Sequence, residues 1–441
     1  MNRAELEAVV RDEIIQRREE GCDVSGFKEA FEAAVAKPSP EAERELEALL
    51  SRLEAASPSS DFPYHEPSTL DAIRRSRPDG PRRIPLAISD AELEERILGA
   101  WLGRCAGCTL GKPVEGWPRE RIEKALKSVN AYPLDYYFPR VDPPTDEYPI
   151  NPNDPCLAEN VRAMARDDDI DYTILGLHTL EENGLDFTSR DIANQWLSHL
   201  PYHMVYTAER AAYRNLVNGL EPPDSAAFRN PYREWIGAQI RADAFGYVAP
   251  GMPEVAAEFA FRDAAVSHVK NGIYGEMFVA AMLAAAFTTS NMEEIITIGL
   301  SEIPQNSRLA EAVRDVLDWS KKFPRWESAW EQVMQKYGGY HGVHTINNAA
   351  IVLLGLLYGG NDLTQTISIA VMGGLDTDCN GATAGSILGA AEGASALPSR
   401  WTAPLNDTIR SVVVGFDNSR ISDLAARTVA VARRVRERFS G

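Results

Sequence analysis

Basic residues are in short supply. Lys and Arg total 45 against 64 Asp and Glu, and the formal net charge is −19. That deficit excludes a general nucleic-acid binder, whose affinity needs a basic surface, though it leaves room for a local basic pocket holding one phosphate. Long hydrophobic runs are lacking as well. The longest, Phe278 to Phe287, falls well short of the ~20 residues that span a bilayer, so no membrane segment is expected. Cysteine is sparse and odd in number: the five are Cys22, Cys105, Cys108, Cys156 and Cys379. Their spacing shows no disulfide framework, which implies reduced thiols and a cytoplasmic protein. Cys105 and Cys108 form a CxxC, but no second pair or nearby His completes a zinc site, and both fall in an apolar helical pattern as small core residues. The charged, amphipathic start Met1 to Glu7 has no signal-peptide character. Strand-like alternation is scarce, and no repeat of fixed period is found.

Helical periodicity is abundant. Leu6, Val9, Val10 and Ile14, then Phe27, Phe31 and Ala34, then Leu46, Leu49, Leu50 and Leu53 predict two or three surface helices, broken at Pro38 and Pro40. Residues 56 to 90 are rich in Ser, Pro and Arg and read as a linker lying on the body. From 185 to 360 helices fit almost throughout, among them Tyr206 to Leu220, Pro253 to Val269, Tyr274 to Phe287, Met292 to Leu300 and Arg308 to Lys322. The expected fold class is all-α: one large compact helical domain over 86–441, preceded by an N-terminal helical appendage and linker over 1–85.

Two acidic stretches stand out. In Gly373-Gly374-Leu375-Asp376-Thr377-Asp378-Cys379, two carboxylates are framed by glycines and followed by a helix of small residues. Asp376 fits an N-cap and Asp378 a first turn, which is an ordinary acidic helix start. Three oxygen donors in one turn could equally hold a hard cation such as Mg²⁺. The second stretch is Arg166-Asp167-Asp168-Asp169-Ile170-Asp171, running into Ile174, Leu177 and Leu180 at helical spacing. Four acids exceed what capping needs, because like charges repel, and a bound cation would relieve the repulsion.

A helix starting at Ser89-Asp90 carries Gly99, Gly103, Gly107 and Gly111, each four apart. Glycine costs a helix roughly 1 kcal/mol relative to Ala at each position, so tight packing against another backbone must offset it. Pro113 stops this helix and leaves Glu115 in a constrained turn, either a solvated loop acid or a carboxylate at the mouth of a site. Residues 130 to 160 lack periodicity, and Tyr136, Tyr137, Phe138 and Tyr148 there are expected to wall a substrate site. Ser267-His268 is expected at a helix end, where a His serves the helix dipole. His341 and His344 sit in a glycine-rich loop, with a plain loop favoured over a metal role.

Together these pieces resemble the ADP-ribosylglycohydrolase family over roughly residues 90 to 435. Gly99-to-Glu115 is similar to its glycine-rich first helix and Pro-x-Glu turn. Asp167-Asp168-Asp169 falls where the family has Thr-Asp-Asp. Gly237-to-Gly246, with Arg241, and Ser267-His268 resemble two middle motifs. Gly373-to-Cys379 falls on Gly-Gly-Asp-Thr-Asp-Thr, and Pro398-x-Arg400-Trp401 on the closing turn. The resemblance implies hydrolysis of an N- or O-linked ADP-ribosyl bond at a pair of Mg²⁺ ions, on a small-molecule or ADP-ribosylated substrate. It implies Asp167, Asp168, Asp169, Asp376 and Asp378 as metal ligands, Glu115 and Asp169 as catalytic carboxylates, and His268, Asp243, Asp171 and Gly374 at the substrate. The chain departs from the pattern at Asp167, Asp171, Asp243 and Cys379. Extra acids at Asp171 and Asp243 predict a cleft that disfavours a pyrophosphate.

Two other readings compete. Asp167, Asp168 and Asp171 spell DDxxD, the pattern by which isoprenoid synthases hold a diphosphate through Mg²⁺. However, Asn361-Asp362-Leu363 does not complete the partner motif, and Asp376 and Asp378 would go unexplained. A non-catalytic ADP-ribose binder is the other, expected if Cys379 had cost a metal, since thiol sulfur suits Mg²⁺ poorly. The sequence leaves the oligomeric state open.

Overall fold

A computed structural model describes residues 1–141, 145 and 147–439. The chain is all-α. Among the described residues the strands are Thr408–Ile409 and Ser419–Arg420, one short antiparallel pair. Among the described residues no helix is long and apolar enough to cross a membrane.

Three helices open the chain: α1 (Arg3–Glu19), α2 (Phe27–Val35) and α3 (Glu41–Glu54). A capping box between Asn2 and Glu5 starts α1. The three close on an apolar cluster of their own, with Leu6, Val10, Leu46, Leu50 and Leu53 at its centre. They are fastened to the body by buried polar groups. Arg233 reaches Glu13 at 2.7 Å and Glu20 at 3.0 Å, and Gln16 donates to Glu234 at 2.8 Å. Removing one partner of a buried ion pair costs roughly 3–5 kcal/mol, so these contacts fix how the three helices dock. The stretch read as a linker is tied down too. It contains α4 (Leu70–Ser76), whose Ile73 enters the main core, and Glu66, which pairs with Arg308 at 2.7 Å.

The main core begins with α5 (Asp90–Gly111), capped by Ser89, whose hydroxyl accepts from the Glu92 amide at 3.2 Å. A 3-10 turn at Lys112–Val114 and α6 (Arg119–Ser128) follow. The 130–160 segment is largely irregular, and residues 142–144 and 146 within it lie outside the described residues. Its aromatics do not wall a cleft as expected. Tyr137 and Phe138 are buried, the Tyr137 hydroxyl donates to the Trp401 carbonyl at 2.5 Å, and the Tyr136 ring packs 5.4 Å from Trp401. The turn at Trp401 offers these rings apolar surface to bury, and large rings gain most from that.

Then come α7 (Asp168–Asn183), α8 (Ser189–His199), α9 (Thr207–Val217), α10 (Asp224–Ala227), α11 (Asp243–Tyr247) and α12 (Pro253–Ala264). Next is α13 (Asn271–Ala286), with every residue buried, which explains its unbroken apolar sequence without a membrane. On it pack α14 (Met292–Leu300), α15 (Arg308–Lys322) and α17 (Thr345–Tyr358), while α16 (Trp326–Tyr337) and α18 (Leu363–Met372) pack against α17. The last helices are α19 (Thr377–Glu392), α20 (Ser399–Thr402) and α21 (Ile421–Phe439).

The pair α5 and α19 organises the site. The two helices run antiparallel with their backbones in contact. A Cβ added at Gly99 would stand 2.5 Å from the Gly389 carbonyl oxygen, one at Gly103 2.1 Å from that of Gly385, and one at Gly111 2.2 Å from that of Thr377. The glycine spacing of α5 therefore meets small residues on α19 rung by rung. Close backbone approach recovers the helix propensity that the glycines forfeit.

Candidate active site

The last rung brings the turn after α5 against the start of α19. Gly116 donates from its amide to the Leu375 carbonyl at 2.9 Å, and Leu375 donates to the Trp117 carbonyl at 3.1 Å. Leu375 has φ +66, in the left-handed region that an L side chain resists, and Gly374 beside it has φ +77. A Cβ at Gly374 would meet the Arg119 nitrogen and Trp117 oxygen at 2.8 Å, so its task in the structure is close packing of this turn. Glu115 is held at the lip by the same turn, with its side chain half-exposed.

Across a cleft of about 300 Å³ stands the start of α7. Glu115, Asp168, Asp169, Asp376, Asp378 and Lys112 all line it. Ligand atoms of Asp167, Asp169 and Asp378, with the Cys108 sulfur, lie within 4.8 Å of one another. Asp376, Asp378 and Cys379 form a second such group, so Asp378 belongs to both. Two acidic helix starts far apart in sequence thus share one cleft.

Their local bonding differs. The Asp167 side chain caps α7 by accepting from the Asp169 amide at 3.0 Å. Asp376 sits at the N-cap position of α19 but makes no side-chain cap bond. Instead its backbone amide donates to Asn348 Oδ1 at 3.1 Å, and the Asn380 side chain donates to the same oxygen at 2.9 Å. Asp376 Oδ1 and Asp378 Oδ1 are buried with no hydrogen-bond partner among the described residues. Unpaired buried carboxylate oxygens of this kind fit a hard divalent cation, with the Cys108 and Cys379 thiols standing beside them.

Two cations of the chain already share the acids. The Lys112 ammonium lies 2.6 Å from Asp167, 3.0 Å from Glu115 and 3.2 Å from Asp378. Buried Arg104 reaches Asp169 at 3.2 Å and Asp243 at 2.8 Å, and donates to the Asp169 and Ile240 carbonyls at 2.8 Å and 2.5 Å. The Cys379 thiol donates to Asp169 Oδ2 at 3.2 Å, so this side chain orients a carboxylate. Burial, with neighbouring acids, pushes Cys108 and Cys379 well above the usual thiol range, which keeps both as thiols.

The carboxyls divide accordingly. Burial opposes ionisation of Asp167, but Lys112 outweighs it and holds Asp167 below its ordinary value. Burial pushes Asp168 and Asp169 well up, with Asp167 adding to the shift and Arg104 opposing it at Asp169. Burial, then Asp378 and Glu115, pushes Asp376 well up, and burial against Lys112 takes Asp378 to about 7. The folded chain carries more acid here than its own cations compensate.

The other expected residues are placed elsewhere. Asp171 turns inward and accepts from Arg166 at 2.8 Å, Ser411 at 2.7 Å and the Val412 amide at 3.1 Å. Asp243 is buried against Arg104, Tyr247 and Ser386. Neither lines the cleft, so the expectation of a cleft kept acidic by these two fails. Both are committed to cations and hydroxyls inside the fold. With Asp171 gone inward, the DDxxD reading loses its third acid. His268 is fully buried and lies beyond α12, which ends at Ala264. Burial, then the Arg241 charge, holds its imidazole far below the usual value, so it is neutral and does not serve a helix dipole. His344 caps α17 and His341 stacks on Trp235 at 4.1 Å. The cleft residues that the sequence did not single out are Lys112, Tyr206, Glu209 and Trp235. Lys112 had a signal, standing between the last glycine of the ladder and Pro113.

The buried histidines have a consequence for stability. Burial holds His344 at about 3, with Glu234, Arg308, His341 and Glu19 around it. Unfolded imidazoles take up protons below about 6.5 while these folded ones stay neutral. Their contribution is therefore complete above that pH and is lost as pH falls towards the folded values. Each should cost about 1.4 kcal/mol of stability per pH unit in that window. Urea unfolding between pH 7 and 5 should show a shallower decline for His268→Gln than for wild type. Equal slopes would contradict a neutral buried His268.

Fold and family match together define an all-α, glycoside hydrolase-like enzyme. The sequence profile of the family described as ADP-ribosylglycohydrolase matches residues 89–438, and the chain belongs to that family. A solved structure titled "ADP-ribosylglycohydrolase-related protein complex" shares the fold, with TM-score 0.51 at 20% identity over 78% of this chain and 99% of that one. No curated protein matches the chain.

Proposed function

We propose that the protein hydrolyses an N- or O-linked ribosyl bond of the ADP-ribosyl kind, with two Mg²⁺ ions held by Asp168, Asp169, Asp376 and Asp378 beside Asp167. The observation that carries this reading is the pair of buried, unpartnered oxygens on Asp376 and Asp378, facing the acidic start of α7 across one cleft. When bound, Mg²⁺ would supply the fixed positive charge that orients a ribose diol and a water.

The chain's own residues do the rest. Glu115, braced by the turn against Leu375 and by Lys112, accepts a proton from the attacking water or orients it. The surrounding carboxylates stabilise the oxocarbenium character that develops as the bond to the ribose carbon breaks. Arg104 and the Cys379 thiol aim Asp169. Trp235 and Tyr206 on the wall offer ring surface to the sugar.

Release of the ribosyl product from a panel of ADP-ribosylated arginine and serine peptides and free ribosides, with and without Mg²⁺, tests the reading. Release dependent on Mg²⁺ is expected from at least one class. Pyrophosphate release from a prenyl diphosphate instead, or no Mg²⁺-dependent release from any riboside, overturns it. Glu115→Gln keeps the size of the side chain and removes its charge. It should lower turnover by about 10²–10⁴-fold, the range for a positioned acid or base, while leaving the Mg²⁺-induced rise in Tm intact. Wild-type turnover in this variant would remove Glu115 from the chemistry.

A further inference from the structure

Residues 1–88 lie outside the family match, yet α1 comes alongside the cleft. Between α1 and the body is a second cavity, of about 580 Å³. It shares Thr207 and Trp235 with the acidic cleft, so the two spaces adjoin.

The chemistry of this cavity is opposite in sign to that of the cleft. Arg210 and Arg214 stand one turn apart on α9 and both line it. Arg210 donates to the carbonyls of Val205 at 2.7 Å and His203 at 3.3 Å. Arg214 donates to the Asn215 side-chain oxygen at 3.2 Å and the Arg229 carbonyl at 3.1 Å. Neither guanidinium forms an ion pair with a carboxylate among the described residues. The carboxylates on the wall are engaged elsewhere: Glu5 caps α1, and Asp12 takes Arg11 at 2.9 Å and the Tyr232 hydroxyl at 3.1 Å. Burial pulls Arg214 below its ordinary value and the Arg229 charge adds to that, with Tyr202 and Glu5 opposing. An anion beside it would offset the cost of the buried charge. Aromatic surface is present as well. Trp235 carries His341 flat on one face, 9° from parallel, and Tyr232 edge-on at 4.7 Å.

We infer that this cavity is an anion subsite of the catalytic cleft, taking the phosphate-bearing end of the substrate with its flat ring beside Trp235. The inference rests on the ribosyl-hydrolase reading for the identity of the near end. Guanidinium groups without carboxylate partners suit phosphate oxygens, which they can grip with paired N–H groups. Acids in one space and arginines in the adjoining one give the pair a polarity. A ribosyl phosphate can enter it productively in one direction. Because Ala8 and Arg11 of α1 close the subsite, the N-terminal helices act as a specificity element laid over the family's core.

The probe is ADP, titrated calorimetrically into the full chain in excess chelator, so that no divalent ion in the cleft contributes. Wild type should bind, and more weakly as salt rises. The double variant Arg210→Gln/Arg214→Gln should bind about tenfold more weakly or worse, since each lost charge-assisted bond removes a sizeable part of the affinity. Ala8→Trp fills the cavity from α1, leaves every arginine in place, and should weaken ADP to a similar degree. Failure of wild type to bind ADP, or equal binding by wild type and both variants, overturns the subsite. If ADP binding follows the expected pattern while no riboside is hydrolysed, the anion subsite stands and the hydrolase reading falls.

Discussion

Asp376→Ala should abolish turnover and, with it, the stabilisation of the fold by Mg²⁺. The two losses share a cause. Asp376 offers a buried oxygen with no hydrogen-bond partner among the described residues, next to Asp378, which belongs to both acidic groups. A metal that polarises or positions the reacting groups contributes several kcal/mol, so its loss should cost on the order of 10³-fold or more in rate. A ligand at a hundred times its Kd stabilises the folded state by about 2.7 kcal/mol, and this increment should shrink in the variant. The stability of the metal-free protein should not fall in parallel. Burial and the Asp378 charge already push the Asp376 carboxyl well up. A folded value raised above the unfolded one means that stability is lost as pH rises through it, so at pH 8 removing this acid relieves a cost. Melting curves with and without Mg²⁺, alongside turnover, check this. A variant that keeps both wild-type turnover and the full Mg²⁺ response would show that the acids do not hold the metal.

Gly107→Val should destabilise the core by several degrees of Tm. A Cβ at Gly107 would stand 1.9 Å from the Gly381 carbonyl oxygen and 2.4 Å from its carbon. Both are backbone atoms, so no side chain can rotate out of the way. From the other side, a Cβ at Gly381 would stand 2.4 Å from the Gly107 oxygen. Relief requires α5 and α19 to separate, which loosens the packing of α18 and α21 against them. Overpacking of well-fitted cores costs typically 1–3 kcal/mol, and a clash with fixed backbone belongs at or beyond the top of that range. A drop in Tm of several degrees, with activity lost earlier than structure, is the expected result. A variant within a degree of wild type would mean that the helices can slide apart at no cost.

Much of this architecture is legible in the amino-acid sequence. The 3.6-residue periodicity marks the helices, and for α14 and α15 the expected and observed bounds coincide, because caps and breakers stand at their ends. Glycines at every fourth position announce a close backbone partner, and surplus acid at two helix starts announces a shared site. What stays hidden is the direction of individual side chains. Asp171 and Asp243 look like pocket acids in sequence, yet they answer to Arg166 and Arg104, partners that only the folded chain brings near. Tyr137 and Phe138 sit in a segment without periodicity, and nothing in that segment reveals that Trp401 waits to cover them. The start of α1 reads as a surface helix because its amphipathic stripe is satisfied by α3. Its second role, lining a cavity together with the arginines of α9, leaves no periodic trace.

The antiparallel ladder of α5 and α19 also decides which changes of length the fold can absorb. A single residue inserted within either helix would rotate everything beyond it by about 100° about the helix axis. Glu115 and Lys112 hang from one end of the ladder, and Asp376 and Asp378 begin at the facing end. Any such rotation carries one half of the site away from the other. Side chains along the ladder can drift in identity as long as they stay small, but the count of residues between rungs cannot drift. Loops elsewhere are free to lengthen. Insertions and deletions should therefore accumulate around this pair of helices and stop at their ends, so that the ladder works as a ruler against which the rest of the chain is measured.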